Sequence, residues 1–303
     1  IFLSLFSFLL AQSDMELGIT AYNKRAEGNT GATAQSGPID EAINHFGKAS
    51  KSPDNELDAG IYLLHSYYFK GKFVLKDENS QKETFNKGKA LAEKLIKKYP
   101  DSGALRYWYL VNLGSWAEVY GIITAAREGV ADIMRTQSLK IIELDPNYQN
   151  GGGYFMLGAV HFKSPRIPFF LSWPRNNEAV KYLNKAFETG RSTPNQTVYL
   201  ARALKKDGLD KRARNLLQEL VAAPLLPEEL VENAEQKELA KKLLSLETMF
   251  AELSVNTTFK EKVLEKVNQL LNILSHENSN ERQQGSAPTT LTESSLDSLK
   301  GTA

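Results

Sequence analysis

The chain of 303 residues contains no cysteine. That absence removes a disulfide framework, a thiolate zinc site, an iron–sulfur cluster and a cysteine nucleophile together. An excess of either charge is also missing: 37 Lys and Arg stand against 36 Asp and Glu, a formal net charge of +1. Proteins that live on nucleic-acid phosphates usually carry a basic excess, so nucleic acid is not an expected partner. The most apolar run, residues 1–11, is shorter than the roughly 20 residues a membrane-spanning helix needs. Strand signals are lacking as well, with no sustained period-2 alternation and no Asn-Gly hairpin between apolar runs. What remains is a globular composition, 42% hydrophobic and 24% charged, in a chain long enough for one large domain or two ordinary ones.

Motifs that carry chemistry are equally scarce. Gly47-Lys48 and Gly88-Lys89 lack the glycine spacing and hydroxyl residue of a phosphate loop and read as helix interior. Gly151-Gly152-Gly153 reads as a flexible joint after Asn150. His45, His65, His161 and His276 are scattered without metal-ligand spacing. Neither a Gly-x-Ser-x-Gly elbow nor a His-Glu-x-x-His pair is present, and the carboxylates sit among lysines, as in residues 235–242. No catalytic residue, metal or cofactor is therefore expected, and the chain reads as non-enzymatic.

Proline is the informative residue. Pro53, Pro100, Pro146 and Pro194 are each followed by Asp or Asn, at intervals of 47, 46 and 48 residues. Pro cannot continue the preceding helix, and the Asp or Asn is expected to cap the next one. Upstream of these prolines, Ala42-Phe46-Ala49 and Ala179-Leu183-Ala186 place small, large and small residues at i, i+4 and i+7. Small residues let two helices approach and the large one fills the gap between them. Leu113-Gly114 and Leu157-Gly158 are the expected close-contact pairs of the partner helices. The expected fold is therefore all-α: a repeat domain over residues 12–252 in which about five helix hairpins stack as a right-handed solenoid from Asp14 to Pro224, sealed by helices from Pro227 to Ser275.

The ends read differently. Residues 1–11 fit the remnant of a signal peptide cut after Ala11, and Gln12 stands where a lipobox would have cysteine, so an exported protein without lipid attachment is expected. Residues 253–275 read as an amphipathic C-terminal helix, with Phe259, Val263, Val267, Leu270 and Leu274 on one stripe, and 276–303 as a disordered tail.

Aromatic residues concentrate mid-chain. Tyr109, Leu113, Trp116 and Tyr120 share one face of a helix, with Trp108 on the adjacent one. The proline-rich insertion at residues 162–174 displays Arg166, Phe169, Phe170 and Trp173. Such an apolar loop either packs on its own repeat, covers a pocket or meets a partner. Candidate ligand-binding residues are Trp108, Tyr109, Trp116, Tyr120, Tyr154, Phe169, Phe170 and Trp173, with Arg166 placed to orient a carboxylate. The same aromatic stripe also suits a bundle core.

The Leu-Gly pair followed by Ala, a large apolar residue, Ala and Pro resembles the tetratricopeptide repeat. Tyr154, Leu157, Gly158, Ala179, Leu183 and Ala186 match it best. The longer period is also compatible with HEAT repeats, ranked second because the small-large-small order belongs to the tetratricopeptide pattern. A narrower resemblance spans residues 14–250: Tyr107-Trp108-Tyr109, Gly114-Ser115-Trp116, Glu143 to Tyr148, Gly151 to Gly158 and Leu217 to Pro224, in that order. Together these look like the T component of tripartite ATP-independent periplasmic (TRAP) transporters. The resemblance implies a periplasmic, non-enzymatic, helical protein associated with the solute-binding component of such a system, and the reading favoured here is that it passes or retains a small, partly apolar organic anion for that component. The rival reading is a tetratricopeptide adaptor for another envelope protein, without a small-molecule site. Membrane association and self-association are left open.

Overall fold

The computed structural model describes residues 12–167, 169, 171–255 and 265. The expected signal remnant, the tail and nearly all of the 253–275 helix lie outside the described residues, as does Phe170.

Among the described residues there are twelve α-helices and no strand. They are α1 (Asp14–Asn23), α2 (Ser36–Ala49), α3 (Glu56–Phe69), α4 (Glu78–Lys98), α5 (Gly103–Tyr120), α6 (Ile122–Arg127) and α7 (Val130–Leu144). After these come α8 (Tyr148–Lys163), α9 (Asn176–Glu188), α10 (Pro194–Lys206), α11 (Asp210–Ala222) and α12 (Leu230–Val255). Helices pack on their neighbours in the chain, α1 on α2, α3 on α4, α5 on α7 and α8 on α9. The first members of successive pairs, α3, α5 and α8, also touch one another in a row. This is the all-α arrangement of stacked helix hairpins that the sequence predicts.

The hairpins close through one device. Phe46, Leu95 and Leu183 on second helices point at Gly18, Gly60 and Gly158 on first helices, where a Cβ would lie 2.6, 2.4 and 2.7 Å from the side chain. Phe46 and Leu183 are wholly buried and flanked by buried Ala42 and Ala49, and Ala179 and Ala186. Each such large side chain contributes about 1.5–3 kcal/mol relative to exposure. Gly114 departs from the scheme: its nearest neighbour is Met134 Cε at 3.9 Å, so the expected close contact at Leu113-Gly114 does not form.

The prolines do mark the helix boundaries, but the residues after them are not the caps. Ser102 Oγ accepts from Leu105 N at the start of α5, although Asp101 follows the proline. Thr193 precedes Pro194 and forms a reciprocal box with Gln196, each side chain accepting from the other's backbone N–H. Neither Asn55 nor Asn147 makes a side-chain cap bond; Asp145 Oδ1, before Pro146, accepts from the amides of Asn147 and Tyr148 instead. In these turns proline falls at or before the first helical positions, where its missing N–H costs nothing, so the side chain that satisfies the free amides lies at a different offset.

The glycine run is likewise a fixed turn rather than a joint. Gln149, Asn150 and Gly151 have φ of 51°, 54° and 80°, a left-handed turn held by Gln196 Nε2 donating to the Asn150 carbonyl at 2.8 Å. Gly152 and Gly153 then pass so close to Tyr107 and Ile141 that a Cβ would sit 2.5 and 3.0 Å from them.

The chain divides into two compact units, residues 1–200 with 224–236, and 201–223 with 237–303. In the second, Leu204, Ala213, Leu217 and Ala240 are buried, and Glu247 pairs with Lys205 at 3.2 Å and Arg214 at 3.1 Å.

Candidate functional site

The aromatic residues singled out in the sequence do not gather at one place. Tyr109, Trp116 and Tyr120 turn toward α4, where the Tyr109 hydroxyl donates to Glu93 at 3.2 Å and Trp116 Nε1 donates to Asn86 Oδ1 at 2.8 Å. Asn86 Nδ2 in turn donates to the Tyr120 hydroxyl at 2.8 Å, and Tyr120 stacks on Trp116 at 4.3 Å. This stripe is the seam of the α4–α5 hairpin, with its polar atoms satisfied. Tyr154 lies under the Lys185 ammonium at 5.1 Å. Trp173 donates to Asp132 at 2.8 Å and meets His161 edge-on at 4.9 Å. Arg166 and Phe169 are exposed on the 164–174 loop.

Only Trp108 belongs to a different assembly, one the sequence reading missed. It lies on the row of first helices, and His65 from α3 packs against it with ring centroids 3.5 Å apart. Around this pair stand Tyr22 and Tyr62, 5.8 and 5.4 Å from His65, and Tyr68 and Tyr107, 6.2 and 5.5 Å from Trp108. Tyr148, delivered by the left-handed turn, meets Tyr107 at 5.6 Å. Three consecutive residues in the left-handed region, two of them not glycine, store strain of a kind that clusters at functional sites.

The fourth wall comes from the far end of the chain. Arg25, nearly buried, donates from Nε to Glu232 at 3.0 Å and from Nη2 to the Glu228 carbonyl at 2.6 Å, with its guanidinium 4.5 Å above the Tyr22 ring. Glu229, Glu232, Asn233 and Gln236 follow at i, i+3, i+4 and i+7, so they share a helical face.

The polar atoms of this interior are not accounted for by the protein. His65 Nε2, Trp108 Nε1, Glu232 Oε2, Asn233 Nδ2 and Gln236 Oε1 are buried, and none finds a hydrogen-bond partner among the described residues. Burial raises the Tyr148 hydroxyl, and the Trp108 side chain opposes that shift. Most native buried polar atoms are satisfied, and each orphan costs about 1–3 kcal/mol. Among the described residues these five donors and acceptors, on the α3 and α5 aromatic pair and on the 232–236 segment, are the ones a bound molecule or water would have to satisfy.

Burial sets the charge of the interior. It holds the His65 imidazole down at about 3, with Arg25 adding to the effect, so the ring is neutral. Burial also pushes the Tyr22 and Tyr68 hydroxyls well up and raises the Glu229 carboxyl, assisted there by Glu232. Arg25 is already engaged by Glu232 and the Glu228 carbonyl, and Arg191 also acts on Glu229.

No family model matches this chain, and no curated protein matches it.

Beside the aromatic interior a recess of about 480 Å³ opens among Lys72, Lys76, Gln81, Ser115, Glu118 and Glu235. Lys72 lies in a short π-helical turn (Lys70–Val74) that continues α3, a form frequent near functional sites. Its ammonium spans Glu235 at 3.2 Å and Glu118 at 3.5 Å. Those two carboxylates outweigh the burial that disfavours its charge, and its pKa is raised. Tyr68, about one turn earlier, feels Glu235 and Glu232, and more weakly Glu118, so it stands between recess and interior. Among the described residues no cluster of His, Asp or Glu has metal-binding arrangement.

Sequence reasoning found Trp108 but overlooked His65 and the tyrosines because the signal lies across repeats rather than along one helix. Aligning the first helices by Pro53 and Pro100 sets His65 opposite Asn112, one turn beyond Trp108 on the same face, and Tyr62 opposite Tyr109, so even that alignment does not pair either of them with Trp108.

Proposed function

We propose that the protein is an exported, non-enzymatic binding protein of the kind represented by the T component of TRAP transporters, retaining a small organic ligand for a solute-binding partner. The observation that carries the ligand is the group of five orphaned polar atoms within a ring-lined interior. The support for the family is the order of aromatic and glycine motifs along the stacked hairpins. The ligand class shifts from the sequence expectation. Arg166, the residue meant to orient a carboxylate, is on an exposed loop. The interior instead presents a neutral imidazole, an indole N–H, amides and a carboxylate oxygen. That set favours a neutral, ring-bearing molecule with hydroxyl or amide groups over a free anion, because an anion would meet the Glu232 carboxylate while Arg25 is already bound to it.

Native mass spectrometry of protein purified from the envelope fraction, with released small molecules identified, tests this reading. A bound organic compound is expected, and its loss from Trp108→Phe, which keeps the ring but removes the indole N–H, places it in the interior. A mass equal to that of the bare chain in every preparation, together with a solute-binding or envelope protein captured intact by Trp108→Phe, would turn the assignment to the adaptor reading.

A further inference from the structure

The loop after α8 serves no part of the interior, yet it has a definite form. Ile167 and Leu171 exchange two backbone hydrogen bonds of 2.8 Å, closing a tight hairpin. Phe169 sits at its tip with φ of 69° and its surface 100% exposed. A bulky side chain in the left-handed region is strained, and a bare phenyl ring in water is unfavourable as well. Both costs fall on one residue, whose ring no described residue covers. The stem is firm: Leu171 is buried, and Trp173 is fixed by Asp132, by His161 and by Arg135 4.9 Å from its ring. The hairpin therefore holds its tip outward rather than merely trailing.

Its neighbourhood repeats the theme. Lys163 reaches Glu118 near the end of α5 at 3.3 Å, and Trp173 reaches Asp132 at the start of α7. The loop is thus tied to both sides of α6, where Ile122 and Ile123 are 58% and 68% exposed. Residues 163–175 carry Lys163, Arg166 and Arg175 and no acidic residue, and the exposed Arg135 lies against Trp173. The adjacent acids Glu118 and Asp132 are already engaged.

We propose that this end of the first unit docks on an anionic lipid bilayer, with Phe169 and Ile167 entering the headgroup–acyl boundary and Arg166 and Arg175 meeting lipid phosphates. An exposed apolar tip on a loop that also exposes Arg166 and Arg175 has the chemistry of interfacial attachment. A protein partner would need a matching pocket for a single projecting ring, whereas a bilayer accepts it without one. The attachment is peripheral, since among the described residues no helix is long and apolar enough to cross a membrane. It uses none of the residues of the ring-lined interior and stands apart from the ligand reading.

Flotation of the full chain with phosphatidylcholine vesicles, with and without about a third phosphatidylglycerol, tests the proposal. Binding to the anionic vesicles only, weakened by salt, is expected. Phe169→Asp should abolish it. Arg166→Glu and Arg175→Glu should each weaken it about fivefold or more, the weight of one basic side chain near an anionic surface. All three sites are exposed, so helicity and melting temperature should stay unchanged, and Lys51→Glu, outside this surface, should bind like the parent chain. Absence of flotation with anionic vesicles overturns the proposal. So does equal binding by Phe169→Asp, or a concentration-dependent dimer that Phe169→Asp dissolves, which would assign the tip to a second copy of the chain.

Discussion

Single residues carry the electrostatics of the interior, and His65 carries the most testable part. Its imidazole is held neutral at about 3 by burial and by Arg25, whereas in the unfolded chain it titrates near 6.5. Between those values the unfolded state binds a proton that the folded state refuses. Stability is therefore complete above about pH 6.5 and falls as pH drops, by up to about 1.4 kcal/mol per unit. His65→Phe, which keeps a ring against Trp108, should flatten this slope. Urea midpoints at pH 7.0, 6.0 and 5.0 read it directly, and parallel slopes in both proteins would mean that His65 is not the group responsible. Nothing in the sequence marked His65, because its desolvation depends on Tyr22, Tyr62 and Trp108 arriving from three different helices.

Elements were far more legible than side-chain partnerships. Proline spacing located the hairpin boundaries because proline acts on its own backbone, a local effect. Caps were misplaced because Asp, Asn, Ser and Thr all qualify chemically, and the turn geometry alone selected Ser102 and Thr193 over Asp101 and Asn195. The close-contact glycines divide in the same way. Gly158 is pressed against Leu183, whose Cγ and backbone N would lie 2.7 and 3.0 Å from an added Cβ, while a Cβ on Gly114 would meet only Met134 Cε, in ordinary contact at 3.9 Å. Gly158→Ala should cost about 1–3 kcal/mol through overpacking that a backbone atom cannot relieve. Gly114→Ala should be neutral or stabilise by up to about 1 kcal/mol through helix propensity alone. Chemical denaturation of the two variants separates these outcomes, and equal destabilisation would mean that the α5–α7 pair closes like the others.

At the scale of the whole molecule, the interior exists because the segment at residues 224–236 returns to the first helices, and Arg25 is the clasp. It joins Glu232 and the Glu228 carbonyl across sequence separations of 207 and 203 residues. No periodicity reports such a contact, which is why stacking was readable from sequence and closure was not. Arg25→Met leaves the half-buried Glu232 carboxylate without its partner and should cost roughly 3–5 kcal/mol, whereas Arg25→Met with Glu232→Met should recover most of that loss by removing the stranded charge as well. Contacts between such distant residues form late, after the local hairpins have assembled, because the closure entropy comes before any reward. The loss should therefore appear as faster unfolding, with the refolding rate within about twofold of the parent chain. Stopped-flow measurements distinguish the cases: if refolding slows in proportion to the lost stability, the clasp forms early, and the first and last segments of this unit guide its folding instead of sealing it.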